Sequence, residues 1–183
     1  MPHLFGKNIM LREYRRDDLP FITAWVNDAE TTKYLGDLFV WPQTVRNSDD
    51  FLESRLSGSR REASFVIADK YTQDYLGQAD LMDINWIDRC ATVGMVIGRS
   101  DNRGKGIGEE ALRLLCDFAF LKLGLMRVDL HVYSGNERAI ACYEKAGFVK
   151  EGVKRKARYC NGAFMDLVLM SILREEWEQT RQE

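Results

Sequence analysis

The chain has 183 residues, of which 45% are hydrophobic and 30% charged, with only three prolines. This composition excludes disordered, collagen-like and low-complexity proteins. It suits one domain spanning residues 1–183, because two ordinary domains with separate cores would need a longer chain. The net charge of -2, from 26 basic and 28 acidic residues, removes the broad positive field of general nucleic-acid binders. We therefore expect a folded protein with no nucleic-acid partner.

The four cysteines are spread along the chain without a C-x-x-C pair, and only two histidines could join them as ligands. This pattern is unlike a zinc site, so we expect no metal. It also provides no disulfide framework. No apolar run approaches the ~20 residues that a membrane helix needs. We expect a cytoplasmic protein with reduced thiols and no membrane partner.

The first third of the chain predicts one strand and two helices. Residues 9–14 alternate loosely as a strand does, and a helix follows with Asp17 as its cap and Pro20 in its first turn. A second helix is predicted after Thr44. Residues 28–42, between the two helices, are irregular and rich in aromatic side chains. We expect this segment to be either a lid on the core or a loop that binds an acceptor.

The remainder of the chain predicts a sheet with further helices. Short apolar strands separated by short turns, as in an antiparallel meander, are predicted at residues 64–68, 75–84 and 90–97. The later predicted elements are a helix at 107–123, a strand at 127–132, a helix at 137–146, and strands at 153–159 and 163–173. Asn161-Gly162, between the last two strands, is a strong hairpin signal. The chain therefore predicts an α/β fold with a mixed, mostly antiparallel sheet and flanking helices.

A glycine-rich segment, residues 103–108, lies between a predicted strand and the long predicted helix. Free N–H groups at a helix start attract anions, and glycine lets a phosphate approach the backbone. The dinucleotide fingerprint would require glycine where Glu109 stands, and the Walker pattern would require it where Arg99 stands. The spacing fits [Q/R]-x-x-G-x-[G/A], through Arg103, Gly106 and Gly108. A glycine-rich turn that binds nothing is the structural alternative.

This loop resembles the element with which the Gcn5-related N-acetyltransferases (GNAT) hold the pyrophosphate of acetyl-CoA. The segment N-E-R-A-I-A-C-Y-E-K-A-G-F, residues 136–148, resembles a second motif of the same superfamily and follows one strand later. The two ends of the chain, L-R-E-Y-R-R-D-D-L and Y-C-N-G-A-F-M-D-L-V-L-M-S-I-L-R-E-E-W, resemble the branch that contains ribosomal-protein N-terminal acetyltransferases and spermidine acetyltransferases. The resemblance covers nearly the whole chain.

The resemblance implies a place for acetyl-CoA as cosubstrate. The strand before the glycine loop would splay from the next, at 128–132, and the pantetheine arm would lie in the space against the backbone near Val96 and Ile97. The pyrophosphate would bind the loop formed by Arg103, Gly104, Lys105, Gly106, Ile107 and Gly108. Asn136 would bond the pantetheine arm, and Tyr143 would act as a catalytic residue with its hydroxyl near the coenzyme sulfur. A helix cap for Asn136 and a core aromatic for Tyr143 are the alternatives.

The reaction that the resemblance implies is direct attack of an amine on the thioester, and the general base is the open question. Many relatives carry a glutamate where this chain has Thr92, which cannot take a proton. Asp80, Asp83 and Glu13 are substitutes that could act through water or could be solvated surface charges, and we take Asp83 as the candidate base. At pH 7, finding an amine neutral costs about 1 kcal/mol for an α-amine and about 4.6 for a polyamine. A site without a strong base therefore favours an α-amine.

We expect the acceptor to be the α-amine of a peptide or protein N-terminus, with its first side chain held by residues 34–41 and Trp86. A polyamine or another small amine is the alternative, and a non-catalytic sensor of acyl-CoA is a further one. Regular alternation would place four basic side chains on one strand face: Lys150, Lys154, Lys156 and Arg158. Such a face could be solvated, or could meet an acidic acceptor or the 3′-phosphate of the coenzyme. A homodimer is compatible with all of these expectations.

Overall fold

The computed structural model describes residues 3–160 and 162–181, and their backbone forms one sheet with helices on both faces. The strands of this part of the chain are β1 (Leu4–Phe5), β2 (Ile9–Arg12), β3 (Ala63–Asp69), β4 (Tyr75–Asn85), β5 (Cys90–Ile97), β6 (Arg127–Tyr133), β7 (Val149–Cys160) and β8 (Ala163–Leu173). Its α-helices are α1 (Leu19–Trp25), α2 (Ala29–Thr32), α3 (Val45–Ser57), α4 (Ile107–Asp117), α5 (Glu137–Lys145) and α6 (Arg174–Thr180).

The strands lie in the order β1-β2-β3-β4-β5-β6-β8-β7. Neighbouring strands are antiparallel except β5 and β6, which run parallel. The meander predicted for the strands before the glycine loop is therefore present as β3, β4 and β5. The predicted α/β class with a mixed, mostly antiparallel sheet is confirmed.

Alternation along the strands sends side chains into two separate cores, one on each face of the sheet. On β3, Phe65 and Ile67 join the core that includes α4, whereas Val66 and Ala68 join the core that includes α1 and α3. The α4 helix contributes a fully buried apolar stripe to the first core, as its helical spacing predicts. We call the two sides of the sheet the α4 face and the α1–α3 face.

The pairing between β5 and β6 stops early. It joins residues 90–92 to residues 127–129, and at its last step the Thr92 hydroxyl donates a 3.0 Å hydrogen bond to Oδ1 of Asp129. Beyond that step, residues 93–97 of β5 have no pairing with residues 130–133 of β6, which pair with β8 instead. The predicted splay of the central strands is confirmed, and we call the space between these residues the gap.

Several predicted boundaries differ from the structure. The helix predicted at 107–123 ends its α-helical part at Asp117 and continues as a π-helical turn to Lys122. The sequence does not predict the C-terminal helix α6, because a tertiary contact holds this helix in place. Its buried Trp177 packs on Phe120 and donates its indole N–H to Asp117. β7 and β8 pair as the predicted hairpin, although the predicted turn residue Asn161 lies outside the described residues.

The basic run on β7 does not form the regular face that alternation predicts. Register shifts between Lys150 and Gly152 and between Lys154 and Arg158 interrupt the pairing with β8. Lys156 has a φ of 49°, and its N–H donates to an Asp166 carboxylate oxygen 2.8 Å away. Bulges of this kind turn side chains away from a common face, so the four basic residues do not share one.

Candidate active site

The glycine loop connects the end of β5 to the start of α4. Gly104 and Gly106 have φ values of 77° and 79°, in the left-handed region that favours glycine, and Gly106 is the N-cap of α4. A Cβ added at either glycine would meet no protein atom within 4 Å. No side chain caps this helix start, so its first N–H groups are available to a ligand. The loop therefore has the open, N–H-rich backbone that an anion needs.

Gly108 lies where α4, α5 and β5 approach one another. A Cβ at this position would lie 3.2 Å from Sγ of Cys142 on α5 and 3.3 Å from Cε of Met95 on β5. This glycine consequently allows close packing between the loop, β5 and the helix that carries the second motif. The packing brings the two predicted motifs of the coenzyme site together.

The Arg103 side chain faces the segment of residues 28–42. Its Nη2 donates to the Thr31 hydroxyl at 2.5 Å and lies 3.5 Å from the carbonyl oxygen of Ile97. Thr31 in turn donates to Asp28, and this bonding, with the charge of Arg103, lowers the pKa of Asp28. The guanidinium therefore links the glycine loop to α2. Binding of pyrophosphate by the loop residues remains a prediction.

Asn136 is the N-cap of α5, where its Oδ1 accepts a 3.3 Å hydrogen bond from the N–H of Ala139. The structural alternative for this residue is thus present. The backbone N–H of Asn136 donates to the carbonyl of Tyr133, whereas within the described residues its side-chain Nδ2 donates no hydrogen bond and is available for the predicted bond to the pantetheine arm.

Tyr143 is buried on α5, with its ring edge-to-face against Phe148 at 5.9 Å. Burial, with a smaller contribution from Cys142, raises the pKa of Tyr143 to about 12. The hydroxyl is therefore neutral and a hydrogen-bond donor at physiological pH. Tyr143 is therefore a core aromatic residue, as the structural alternative states, and its catalytic role remains a prediction.

A cavity of about 320 Å³ lies on the α1–α3 face, beside residues 94–96 of β5. Its walls are mostly apolar side chains from α1, α3 and the segment of residues 28–42: Ile22, Trp25, Val26, Leu35, Leu38, Phe39 and Phe51. The sheet contributes Gln78, Asp80 and Met82 from β4, and we call this space the Asp80 cavity. Residues 94–96 therefore border both this cavity and the gap.

Asp80 is a buried carboxylate in a mostly apolar wall, with 6% of the residue exposed. Its Oδ1 has no hydrogen-bond partner among the described residues. Burial raises the pKa of Asp80 to about 6, although the nearby Arg55 and the hydroxyl of Ser64 oppose the shift. The side-chain oxygen of Ser48 and Nε of Arg55, also in this cavity, are likewise buried and unpartnered. Groups of this kind in one cavity indicate a site that receives polar atoms.

The candidate base Asp83 does not line the Asp80 cavity. It lies in a bulge between Met82 and Asn85, with a φ of 51°, and its side chain is exposed. After the bulge, Ile84 points into the core again. Asp80 and Asp83 are only three residues apart, but one is buried in the cavity and the other is exposed. Asp83 stays a prediction, but its position provides neither burial nor an acceptor space.

Two further carboxylates, Asp129 at the gap and Glu13 just after β2, are already engaged. The two oxygens of Asp129 contact Thr92 at 3.0 Å and Arg127 at 3.5 Å. Glu13 is bonded to His3 and Arg15; its partial burial would raise its pKa, but these bonds outweigh burial and lower it to about 2. Asp80 is consequently the carboxylate whose position best suits proton transfer in the cavity.

Residues 28–42 contact both edges of the gap. The Thr31 hydroxyl, which donates its proton to Asp28, lies 3.4 Å from the carbonyl oxygen of Gly98, which follows β5, and Tyr133 of β6 donates to the carbonyl of Leu35 at 3.2 Å. Arg158 of β7 forms an ion pair with Asp37. The same segment lines the Asp80 cavity, and its alternative roles as a lid on the core or as a loop that binds an acceptor remain predictions. Trp86, predicted to help hold the acceptor, lines a different cavity.

Residues 3–160 and 162–181 do not meet the requirements of a metal site or of a membrane-spanning helix. They contain no group of three or more potential ligands that could hold a metal ion. Nor do they form a helix with the length and apolarity required to cross a bilayer.

Residues 8–149 match the family described as Acetyltransferase (GNAT) domain. The chain is 30% identical over 175 residues to spermidine N(1)-acetyltransferase of Vibrio cholerae, covering 94% of this chain and 96% of that protein. It is 32% identical over 148 residues to the Bacillus subtilis protein named "Putative ribosomal N-acetyltransferase YdaF", covering 79% and 80%. The crystal structure of V. cholerae spermidine N-acetyltransferase with CoA and spermine matches with a TM-score of 0.83 and 27% identity, over 93% of this chain and 98% of that one. The chain therefore belongs to the GNAT acetyltransferase family.

Proposed function

We propose that this acetyltransferase transfers the acetyl group of acetyl-CoA to the α-amine of a peptide or protein N-terminus bound in the Asp80 cavity. The observation that carries the proposal is the position of Asp80, a buried carboxylate with a free oxygen in an apolar cavity beside the gap. Such a cavity can hold an apolar first side chain and present its amine to a base.

Acetyl-CoA supplies the thioester, and this chain has groups suited to hold it. The glycine loop offers free N–H groups and open space for the pyrophosphate. Backbone groups near Val96 and Ile97 lie on a strand segment without pairing to β6, so they are available to the pantetheine arm. The amide of Asn136 would add a further bond.

Asp80 would remove the proton that the attacking amine must lose. At pH 7 a carboxylate with a pKa near 6 is mostly ionised, yet it accepts a proton far more readily than an ordinary aspartate. An α-amine, with a pKa of ~7.8, is close enough to that range for transfer directly or through one water. The proton then moves from nitrogen to Asp80 as the C–N bond forms and the C–S bond breaks.

Backbone N–H groups near Val96 would stabilise the negative charge that develops on the acetyl oxygen. Tyr143 would donate a hydrogen bond to the departing sulfur. Its pKa of about 12 lies well above the ~8.5 of a thiol, so full proton transfer from Tyr143 to the thiolate is unfavourable and solvent protonates the thiolate.

The charges of the cavity favour an α-amine over a polyamine. A polyamine carries several positive charges, whereas the described lining contains one carboxylate, Asp80, and one cation, Arg55. A polyamine amine would also need about 4.6 kcal/mol to become neutral at pH 7, against about 1 kcal/mol for an α-amine. A single base with a pKa near 6 is better matched to the smaller free energy needed to deprotonate an α-amine.

Polyamine acetylation is the second candidate, because spermidine acetyltransferases stand among the relatives. A sensor of acyl-CoA without catalysis is less well supported. Burial of an ionised carboxylate destabilises a fold, and such a residue is more common in catalytic sites than in simple binding modules.

Gly106→Val should weaken acetyl-CoA binding by ~10-fold or more, because a side chain would obstruct the backbone that faces the pyrophosphate. Gly124→Val is the matched control: Gly124 follows the other end of the same helix, has a φ of 68°, and also has open space around its Cβ. Both variants carry the same backbone strain, so titration calorimetry separates strain from obstruction. Equal dissociation constants for the two variants would contradict the assignment of the loop.

Tyr143→Phe should lower the turnover number by ~10²-fold while coenzyme affinity stays within a few-fold, because only the donor is lost. The ring contact with Phe148 remains, so the unfolding temperature should stay near that of the wild type. Tyr143→Leu, which removes the ring contact as well, should in addition lower the unfolding temperature. An unchanged turnover number for the Phe variant, measured where chemistry limits the rate, would assign Tyr143 to the core alone.

Release of free thiol with spermidine and with short peptides at equal concentrations tests the acceptor. Each peptide contains one internal lysine and is used with its N-terminus either free or blocked by acetylation. We expect activity on the free peptides and loss of it on the blocked ones, since only the α-amine is removed. Activity on spermidine about tenfold (~1.4 kcal/mol) or more above every free peptide would instead support the polyamine candidate.

A further inference from the structure

A second, larger cavity of about 650 Å³ lies where α3 ends, β3 begins and β4 ends. Its lining is rich in arginine, with Arg55, Arg60 and Arg61, and includes the half-exposed ring of Trp86. We call it the arginine cavity. Three of its residues, Arg55, Ser64 and Glu62, affect the pKa of Asp80, and the others take no part in the steps described above.

The arginine cavity adjoins the Asp80 cavity. The side chain of Arg55 lines both spaces. Ser64 lines the arginine cavity and stands directly opposite Asp80 in the pairing of β3 with β4. A ligand anchored at Asp80 could therefore continue past Arg55 into the second space.

The loop that carries the other two arginines is held by its backbone. The carbonyl of Arg60 accepts a 3.0 Å bond from the indole N–H of Trp86, and the carbonyl of Arg61 accepts a 2.9 Å bond from the N–H of Ile84. These bonds fix the chain and leave both guanidinium groups free to interact. In the described residues, neither Arg60 nor Arg61 has a carboxylate within ion-pair distance.

The cavity has an excess of positive charge. Glu62 is the acidic residue of its described lining, and Glu62 already forms an ion pair with Arg55. Two uncompensated guanidinium groups at a concave site attract carboxylates, which arginine binds with two parallel hydrogen bonds. The charge that best complements the arginine cavity is therefore negative.

We propose that the arginine cavity binds an acidic side chain that follows the acetylated residue, so that the preferred acceptors are peptides or proteins with Asp or Glu shortly after a free N-terminus. This inference rests on the proposed function, because it needs an α-amine at Asp80. The amine and first side chain fill the Asp80 cavity, the chain passes Arg55, and the acidic side chain meets Arg60 and Arg61.

The test compares peptides that share one apolar first residue and carry Glu, Gln or Lys at the next three positions. For the wild-type enzyme, kcat/KM should be about three- to tenfold higher for the Glu series than for the Gln series, as two exposed ion pairs allow, and lowest for the Lys series. The double variant Arg60→Gln, Arg61→Gln should bring the Glu-to-Gln ratio close to one, mainly through KM. Raising the ionic strength should reduce the wild-type ratio.

Arg46→Gln is the matched control, since Arg46 is a 90% exposed arginine of α3 that lines neither cavity. This variant removes one exposed positive charge, against two in the double variant, and should keep the wild-type ratio. Inorganic phosphate, compared with sodium chloride at equal ionic strength, tests for a site that binds free anions. A phosphate-specific change in the rate on the Gln peptides that the double variant abolishes would overturn the assignment to the acceptor.

The remaining outcomes separate this inference from the proposed function. Equal kcat/KM for the Glu and Gln peptides in the wild type, or a preference for Glu that survives in the double variant, would overturn the subsite and leave the α-amine proposal intact. No turnover of any peptide with a free N-terminus would overturn both.

Discussion

The early end of the pairing between β5 and β6 is the constraint on which the site depends. An uninterrupted sheet would separate the glycine loop, next to α4, from the cavity under α1 and α3. Because the ladder stops at Thr92 and Asp129, residues 93–97 keep one edge of their backbone free of a partner strand, and residues 94–96 of this segment also border the Asp80 cavity. Strand backbone without a partner strand needs other hydrogen-bonding partners, and an extended amide-containing ligand can supply them. Residues 28–42 contact both sides of the gap and so connect the glycine loop with the Asp80 cavity.

The buried carboxylate on β4, Asp80, lowers the stability of the fold and has a raised affinity for a proton. A pKa raised from 3.8 to about 6 by burial corresponds to about 3 kcal/mol of destabilisation once the group is ionised. The sign follows from the raised value: the folded state holds the proton more tightly, so this residue lowers the free energy of unfolding as the pH rises from about 4 to 6. Arg55 and Ser64 oppose the shift. The proposed role of Asp80, as a base tuned toward neutral pH, would account for a residue that the fold alone would replace by an apolar one.

Local sequence signals predicted the elements and both motifs, because helix caps, glycine positions and strand alternation act over a few residues. The different environments of Asp80 and Asp83 show where such reasoning stops. Alternate residues of β4 share a face, which carries Gln78, Asp80 and Met82, so the sequence signal for Asp80 was a charged residue on the inward face of an apolar strand. The bulge at Asp83 gives no such local signal, because it depends on the pairing of β4 with β5. The bulges of β7 and the arginine cavity are also products of long-range packing. The sequence contains no local sign that Arg55 borders two cavities.

The measurement that tests the account most directly is the dependence of kcat/KM on pH for a peptide acceptor, in the wild type and in Asp80→Asn. Below pH 6 both the carboxylate, with its pKa of about 6, and the α-amine, at ~7.8, must lose a proton, so the wild-type logarithmic plot should rise with a slope of about two and then about one. Asp80→Asn should be slower at every pH and rise with a slope of about one throughout. A variant that stays folded and retains both the wild-type rate and the steeper limb below pH 6 would contradict the assignment of Asp80 as the base.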